Sequence, residues 1–392
     1  MSDRDAGGRR RVVVVFGGRS AEHEISCISA RSVMDALDPE RFDVVPVGIT
    51  RLGTWHLMTG PPALPSETGR MPEVTPGAGT SVALAGDGES RELVAADGSR
   101  APIDVVVPVL HGPMGEDGAV QGMFELAGVP YVGAGVLGSA IGMDKAIQKV
   151  LFAAAGLPVG PWEAVREPEW LEDPEGVAAK VAGLGYPVFT KPATLGSSVG
   201  ISKVHDPAEL DTAMTEAFRF ARKAVVERGF EQMREVECAV LGNDDPVASV
   251  CGEVVPTGHE FYDYDSKYLD EHGARLDIPA EIDADVQARV QRMAVTAFQV
   301  VECWGMARVD FFLRGREVFV NEINTIPGFT EISMYPKLWQ ASGLTYGDLI
   351  ERLIDLAVER HMAERSRGTT PAELDRPVAE TPSRPTGAPP GR

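Results

Sequence analysis

The chain has 392 residues, 44% of them hydrophobic and 24% charged, ordinary proportions for a globular enzyme with room for two or three domains. Its net charge of −21 argues against a nucleic-acid or anionic-membrane surface, because phosphate backbones and headgroups need clustered Lys and Arg. No apolar run reaches the roughly 18 residues of a membrane span.

The start, M-S-D-R-D-A-G-G-R-R-R, precedes an apolar stretch at 12–16 that is too short for a signal peptide, so a cytoplasmic location is expected. Cys27, Cys238, Cys251 and Cys303 lack C-x-x-C spacing and read as reduced, mostly buried thiols. Residues 12–16 form a buried strand, Gly17-Gly18 follow, and a helical pattern runs from about 20 to 37. Further strands are expected at 42–49 and 105–110. Apolar strands alternating with helices predict an open parallel sheet covered on both faces. Residues 59–101, rich in Pro, Gly and Ser, read as an insertion with weak strands at 81–84 and 92–95. A helix is expected from 142 to 155, closed by Gly156-Leu157-Pro158.

The segment 141–240 reads as a smaller α+β unit with strands at 186–191, 200–204, 224–227 and 236–241. Residues 241–362 hold further strands, a polar-aromatic loop near 259–275, a helix at 284–302, a hairpin at 306–323 and a helix at 345–362. Beyond 363 the Pro-, Thr-, Arg- and Glu-rich composition buries too little apolar area to offset ordering entropy, and a disordered tail is expected.

The hairpin carries the most chemical information. Strand side chains alternate, so Arg308, Asp310 and Phe312 share one face, as do Val320, Glu322 and Asn324. A tight turn at Arg314-Gly315-Arg316 brings Asp310 across from Glu322, directly or one diagonal step away, with Arg308 near Asn324. Two carboxylates and an amide oxygen so placed suit Mg²⁺, which takes carboxylates together with substrate phosphates. The alternative is a structural Asp–Arg–Glu ion-pair cluster.

Lys191-Pro192-Ala193-Thr194-Leu195-Gly196-Ser197-Ser198-Val199-Gly200 ends a strand with a lysine and continues as a small-residue loop, whose backbone N–H groups can cradle an anion. It lacks the G-K-[ST] of a P-loop, and a flexible hairpin is the other reading. His111-Gly112-Pro113-Met114-Gly115-Glu116-Asp117-Gly118 follows a strand at the carboxyl edge of the first sheet, where ligands of open α/β sheets bind. His111 there can donate to a carboxylate substrate, unless Glu116 and Asp117 merely open a capped turn. Glu22 shares that rim, as a site residue or as a first-turn helix carboxylate. Phe261-Tyr262-Asp263-Tyr264-Asp265-Ser266-Lys267-Tyr268 reads as an active-site lid, or as a surface loop pinned by its tyrosines.

Taken in order, G-G-R-S-A-E-H-E-I-S, H-G-P-M-G-E-D-G-A-V-Q-G, M-D-K, K-P-A-T-L-G-S-S-V-G, E-V-E-C-A-V-L-G, F-Y-D-Y-D-S-K-Y, A-R-V-D-F-F-L and N-E-I-N-T-I-P-G-F-T resemble the D-alanine–D-alanine ligase family of the ATP-grasp superfamily. The likeness spans residues 12–360. It implies a Rossmann-like, pre-ATP-grasp domain over 1–140, then a two-part ATP-grasp fold over 141–240 and 241–362 with ATP between its parts. Matched positions imply that Lys145 and Lys191 contact ATP phosphates, that Ser198 belongs to the ATP-binding set and that Lys267 reaches the transferring phosphoryl group. Glu227 matches the adenine contact and Glu235 the ribose contact. Asp310, Glu322 and Asn324 match the ligands of two Mg²⁺ (or Mn²⁺) ions. Glu22 and His111 would hold the first D-alanine, Ser333 and the Met334 backbone the second, and Arg308 the developing oxyanion. Glu22, Ser197 and Tyr268 resemble a hydrogen-bonded trio that ties the first domain to the loops over the site. A homodimer through the N-terminal domain is also implied.

Two positions depart from the family pattern: Arg228 stands where many members have lysine, and Thr190 replaces an aliphatic residue. Both are expected at the adenine pocket. Two other readings compete. One is a D-alanine–D-lactate or D-alanine–D-serine ligase, against which the Tyr-rich lid ending in Lys267-Tyr268 speaks. The other is a silent nucleotide-binding regulator, which would be expected to lack part of the Asp310/Glu322/Asn324 set or the lysines.

Overall fold

The computed structural model describes residues 8–86, 90–196, 199–230, 232–256 and 274–367. The aromatic loop 261–268, with Lys267 and Tyr268, lies outside the described residues, as do Ser197, Ser198 and the tail from 368.

The first sheet holds β1 (Arg10–Gly17), β2 (Phe42–Ile49), β3 (Trp55–Leu57), β4 (Thr80–Gly86), β5 (Arg91–Ala95), β6 (Arg100–Pro102) and β7 (Val105–Val109), in the order β6-β5-β4-β3-β2-β1-β7. Only β2-β1-β7 is parallel; β3 to β6 add antiparallel strands at one edge. The expected parallel sheet is β2-β1-β7, and the 59–101 segment extends it with antiparallel strands, the expected weak strands among them. The cause lies in the connections. Helix α1 (His23–Ala36) gives β1 and β2 the long crossover that parallel pairing needs, whereas the Asp97-Gly98 turn can only reverse the chain into a hairpin. Residues 12–16 of β1 are at most 1% exposed, as a strand covered on both faces must be. The other helices before the second sheet are α2 (Pro65–Thr68), α3 (Ala119–Leu126), α4 (Val136–Met143) and α5 (Lys145–Ala154).

The helix expected over 142–155 is thus two helices. The Asp144 carboxylate accepts from Ala146 N at 3.1 Å and Ile147 N at 3.2 Å, capping α5 where α4 ends. Gly142 lies in the last turn of α4, two residues before the cap.

A second sheet, order β10-β9-β11-β8, is antiparallel throughout: β8 (Trp162–Arg166), β9 (Val188–Pro192), β10 (Ser202–Val204) and β11 (Lys223–Arg228). Helices α6 (Glu167–Glu172), α7 (Pro174–Leu184) and α8 (Leu210–Phe218) accompany it, and Val188, Val204, Met214, Ala224 and Val226 pack into one core on its helical side. The alternating residues Val225, Glu227 and Lys191 face the other way, where Val225 packs on Ala146 of α5.

The third sheet, order β14-β13-β12-β15-β16, comprises β12 (Arg234–Gly242), β13 (Val247–Pro256), β14 (Ala274–Asp277), β15 (Gly305–Arg314) and β16 (Glu317–Asn324). Helix α9 (Ala284–Val300) covers one face, with Val240, Val309, Phe311 and Phe298 in its core. Helices α10 (Met334–Ala341) and α11 (Tyr346–Arg365) cover part of the other and join it to α1 and β1 in one cluster. The strand expected at 236–241 was assigned to the middle segment; as β12 it pairs with β13 and β15 in this third sheet. The four cysteines are buried and free. No described helix is long and apolar enough to cross a membrane.

Candidate active site

The β15–β16 hairpin places Asp310 opposite Glu322 and Arg308 opposite Asn324, the register expected from side-chain alternation. Gly315, at φ 58°, makes the reversal in a conformation that favours glycine. A bulge after Asp310 leaves Asn321 without a ladder partner, since Phe311 pairs with Val320. Arg308 donates to Asp310 Oδ1 from Nε at 2.7 Å and to Oδ2 from a terminal nitrogen at 2.8 Å, and its Nε lies 2.8 Å from Glu237 Oε2. Burial opposes the Arg308 charge, but Asp310 and Glu237 outweigh it and hold the guanidinium protonated. Asn324 Nδ2 donates to Asp310 Oδ2 at 2.9 Å.

Glu322 has a different cation. Lys145, at the start of α5, sits 2.9 Å from Glu322 Oε2 and donates to Leu195 O at 3.0 Å, so it bridges the hairpin and the small-residue loop. Buried Gln148 fixes α5 there: its side chain accepts from Ile323 N at 3.0 Å and donates to Ile323 O at 3.3 Å. The ion pairs of the structural alternative therefore exist, yet they divide into Arg308 with Asp310 and Lys145 with Glu322. Among the described residues no group of three or more His, Cys, Asp or Glu converges as a protein-only metal site. The donor set is instead two facing carboxylates and an amide. That set fits Mg²⁺ or Mn²⁺ completing its shell with phosphate oxygens.

Lys191 on β9 reaches Glu227 Oε2 at 2.9 Å, and Lys149 on α5 lies 3.1 Å from Oε1. Burial alone would raise the Glu227 carboxyl; the two ammonium groups overcome it and hold it at about 2. Burial pulls Lys149 down. The sequence reading missed Lys149. The available signal was the spacing Lys145–Lys149, which puts both on one face of α5. Glu235, on β12, adds its charge to the field at Lys191. Thr190 corrects an expectation. Its hydroxyl bonds Ala213 O at 3.4 Å on α8, so it points away from the Glu227 side of the sheet. Arg228 lies over the Phe230 ring at 5.5 Å.

The opposite wall comes from the first sheet. His111 is 5% exposed, Glu22 is 8% exposed, and His111 Nε2 lies 3.4 Å from Ser29 Oγ. Burial lowers the His111 pKa, against the pull of Glu22, so the ring is neutral. Gly112, at φ 79°, runs so close that a Cβ would meet Ser20 Oγ at 2.7 Å and Glu22 Oε2 at 3.1 Å. Its N–H donates to Glu116 Oε2 at 2.6 Å. Burial and neighbouring Glu22 push Glu116 well above the usual carboxyl range. The capped turn also exists, since Asp117 accepts from Met114 N at 2.8 Å and Ala119 N at 3.0 Å.

Between the walls runs a polar cleft lined by Glu116, Lys145, Gln148, Gly196, Glu322 and Asn324. A Cβ on Gly196 would lie 4.0 Å from Glu22 Oε2, so the small-residue loop reaches the first-sheet rim. Ser333 precedes α10, and its Oγ accepts from Thr330 N at 3.1 Å; Met334 beside it is 6% exposed. A Cβ on Gly328 would come within 3.3 Å of Ser333 Oγ, which places Ser333 beside the loop that leaves β16.

Comparison with known proteins follows this geometry. The family model for the D-ala D-ala ligase N-terminus matches residues 11–134, and that for the D-ala D-ala ligase C-terminus matches residues 151–355. The chain is 48% identical over 365 residues to the D-alanine–D-alanine ligase of Paenarthrobacter aurescens, covering 90% of this chain and 96% of that protein. It is 51% identical over 369 residues to that of a Mycobacterium species (strain KMS), covering 90% and 97%. Among solved structures, the D-alanine–D-alanine ligase from Coxiella burnetii superposes with a TM-score of 0.79 at 36% identity, covering 91% of this chain and 96% of that one. The VanG D-Ala:D-Ser ligase from Enterococcus faecalis gives 0.77 at 35% identity, covering 89% and 100%.

Proposed function

The chain belongs to the D-alanine–D-alanine ligase family, with its ATP-grasp fold, and on that premise we propose that it joins two D-alanine molecules in a peptide bond, converting ATP to ADP and phosphate. The observation that carries this reading is one cleft lined by Lys145, Glu322 and Asn324 on one side and Glu116 on the other, with Glu22 and His111 on the same rim.

A carboxylate resists attack by an amine because oxide is a prohibitive leaving group. Transfer of the ATP γ-phosphoryl to the first D-alanine carboxylate makes an acyl phosphate, from which the second amine expels phosphate. Lys145 and Lys191 are placed to hold phosphates, and Glu227 and Glu235 to take the base and ribose. Bound by Asp310, Glu322 and Asn324, Mg²⁺ or Mn²⁺ supplies charge neutralisation for the phosphoryl oxygens. Arg308, held by Asp310 and Glu237, is assigned to the oxyanion that forms during amine attack. Neutral His111 can donate to the first carboxylate while Glu22 holds its ammonium. Ser333 and the Met334 backbone are assigned to the second carboxylate. Ser197, Ser198, Lys267 and Tyr268 keep the roles their matched positions imply, with the aromatic loop excluding water from the acyl phosphate.

Three sheets support a division into an N-terminal substrate domain and two ATP-grasp parts. Exposed Met123 and Leu126 of α3 and Leu137 of the neighbouring α4 support a homodimer through the first domain. A cytoplasmic place in cell-wall precursor synthesis accords with the four free thiols and this product. The test is ATP-dependent phosphate release with D-alanine, L-alanine, D-lactate and D-serine side by side. Turnover with D-alanine alone is expected; a preference for D-lactate or D-serine as acceptor overturns the assignment.

A further inference from the structure

Glu227 sits where three elements meet, on β11 with cations against it from β9 and α5. Its two oxygens are treated differently. Oε2 accepts a hydrogen bond from Lys191 Nζ at 2.9 Å. Oε1 is buried and lies 3.1 Å from the Lys149 ammonium, a contact that occupies only part of its lone-pair capacity. Lys149 also donates to Asn321 O at 3.1 Å, the residue that the β16 bulge leaves outside the ladder. With 3% exposure and that anchor on the third sheet, Lys149 has no freedom to leave.

A carboxylate oxygen carries two lone pairs, so Oε1 beside Lys149 still has an acceptor site to offer a ligand. In the nucleotide-bound state of the proposed function, Lys191 is drawn to the phosphates and Glu227 loses one cation. A buried carboxylate left with no cation takes up a proton, and a protonated acid offers a donor where an acceptor was needed. Lys149 prevents that.

We propose that Lys149 is a positioning residue that sets nucleotide-base specificity: staying beside Glu227, it preserves an open acceptor for the exocyclic amino group of adenine and against the ring carbonyl of hypoxanthine or guanine. The inference rests on the reading that Glu227 faces the base. A carbonyl at that place would bring oxygen against carboxylate oxygen with no proton between them, so discrimination comes from the repelled base as well as the accepted one.

The experiment compares ATP and ITP as phosphoryl donors with the full chain and D-alanine, in the unaltered protein and in Lys149→Met, Lys149→Arg and Glu227→Ala. Binding of ADP and IDP by calorimetry gives a second readout free of turnover. Lys149→Met is expected to raise the KM for ATP roughly 10- to 100-fold, the scale of one hydrogen bond to a charged group, with the loss falling on KM more than on kcat. The ATP-to-ITP ratio of kcat/KM should collapse toward one, and the ADP-to-IDP affinity ratio with it. Lys149→Arg keeps the charge and should retain more of the ratio, which also supplies the result if the Met variant does not fold. A folded Lys149→Met protein with the original ratio, while Glu227→Ala has lost it, overturns the role of Lys149 alone. If Glu227→Ala also keeps the ratio, the placement of Glu227 at the base fails first. A folded Lys149→Arg protein with no selectivity overturns the charge argument.

Discussion

Asp310 and Glu322 face each other in register across the β15–β16 ladder, and each is matched by a different cation: Arg308 at 2.7 Å from Asp310, Lys145 at 2.9 Å from Glu322. Arg308 also faces Glu237 at 2.8 Å, so three carboxylates share two cations. Under the proposed function, phosphates arriving at Lys145 would free Glu322 to bind a metal. Nucleotide and metal should therefore enter together.

Glu322→Gln tests this. The amide keeps the shape but removes one charge from the donor set, so turnover should fall by orders of magnitude. Mn²⁺ affinity in the presence of ADP, followed by electron paramagnetic resonance, should weaken in parallel. Undiminished Mn²⁺ binding and near-normal turnover at saturating Mg²⁺ would remove Glu322 from the metal site.

Acid stability should carry the signature of Glu227. Its folded pKa is about 2, below the ordinary 4.5, so its contribution is fully present above pH 4.5 and is lost as pH falls through 2. Glu227→Gln strands two lysines, Lys149 and Lys191, and should melt lower than the parent at neutral pH. The gap in melting temperature should narrow between pH 4.5 and 2. A gap that stays constant over that window would show that the charge of Glu227 contributes nothing to folding.

Gly112→Ala should separate the rim from the nucleotide side. The residue holds φ 79°, and a Cβ would press on Ser20 and Glu22, at a strain of about 1–3 kcal/mol. The KM for D-alanine should rise, with the KM for ATP unchanged. Equal effects on both would mean that the loop supports the whole cleft and not the first-substrate wall.

What the sequence made legible follows from the range of the forces involved. The Asp310–Glu322 register could be read because period-two alternation and a short turn fix a hairpin locally. The partners of β12 could not: β15 lies some seventy residues away, and an apolar strand does not name its neighbour. Asp144 ends one helix and caps the next, and Gly142, two residues earlier, is a weak signal because a lone glycine inside a helical pattern is tolerated. Thr190, one residue before Lys191, lies on the opposite face of β9 by strand alternation and so meets α8 and not the Glu227 side. Lys149 looked like any solvated helix lysine; only the assembled sheets show that it is buried.

Glu116 yields the last prediction. Its carboxyl lies within the fields of Glu22, Lys145 and Arg308, and burial and Glu22 raise its pKa well above the usual range while the Gly112 N–H pulls the other way. The raised value means that the folded protein favours the protonated acid, a neutral group whose carbonyl oxygen still accepts from Gly112 at 2.6 Å. Glutamine is neutral and keeps that acceptor. Glu116→Gln should therefore retain turnover and D-alanine KM near neutral pH, an unusual result for a carboxylate in an active-site cleft. Glu116→Ala leaves the Gly112 N–H without a partner, at about 1–3 kcal/mol, and should raise the KM for D-alanine roughly tenfold. The parent and Glu116→Gln part as pH rises. Above the ordinary 4.5 the unfolded chain ionises while the folded acid keeps its proton, so folding stability should decline as pH rises from there toward the raised folded value. Activity should decline as Glu116 itself ionises beside Glu22. Glu116→Gln cannot ionise and should lack both declines. The measurement is kcat/KM for D-alanine together with melting temperature from about pH 4.5 to 10. If Glu116→Gln is crippled at neutral pH, the working form of Glu116 is the carboxylate, and the surrounding cations outweigh its burial.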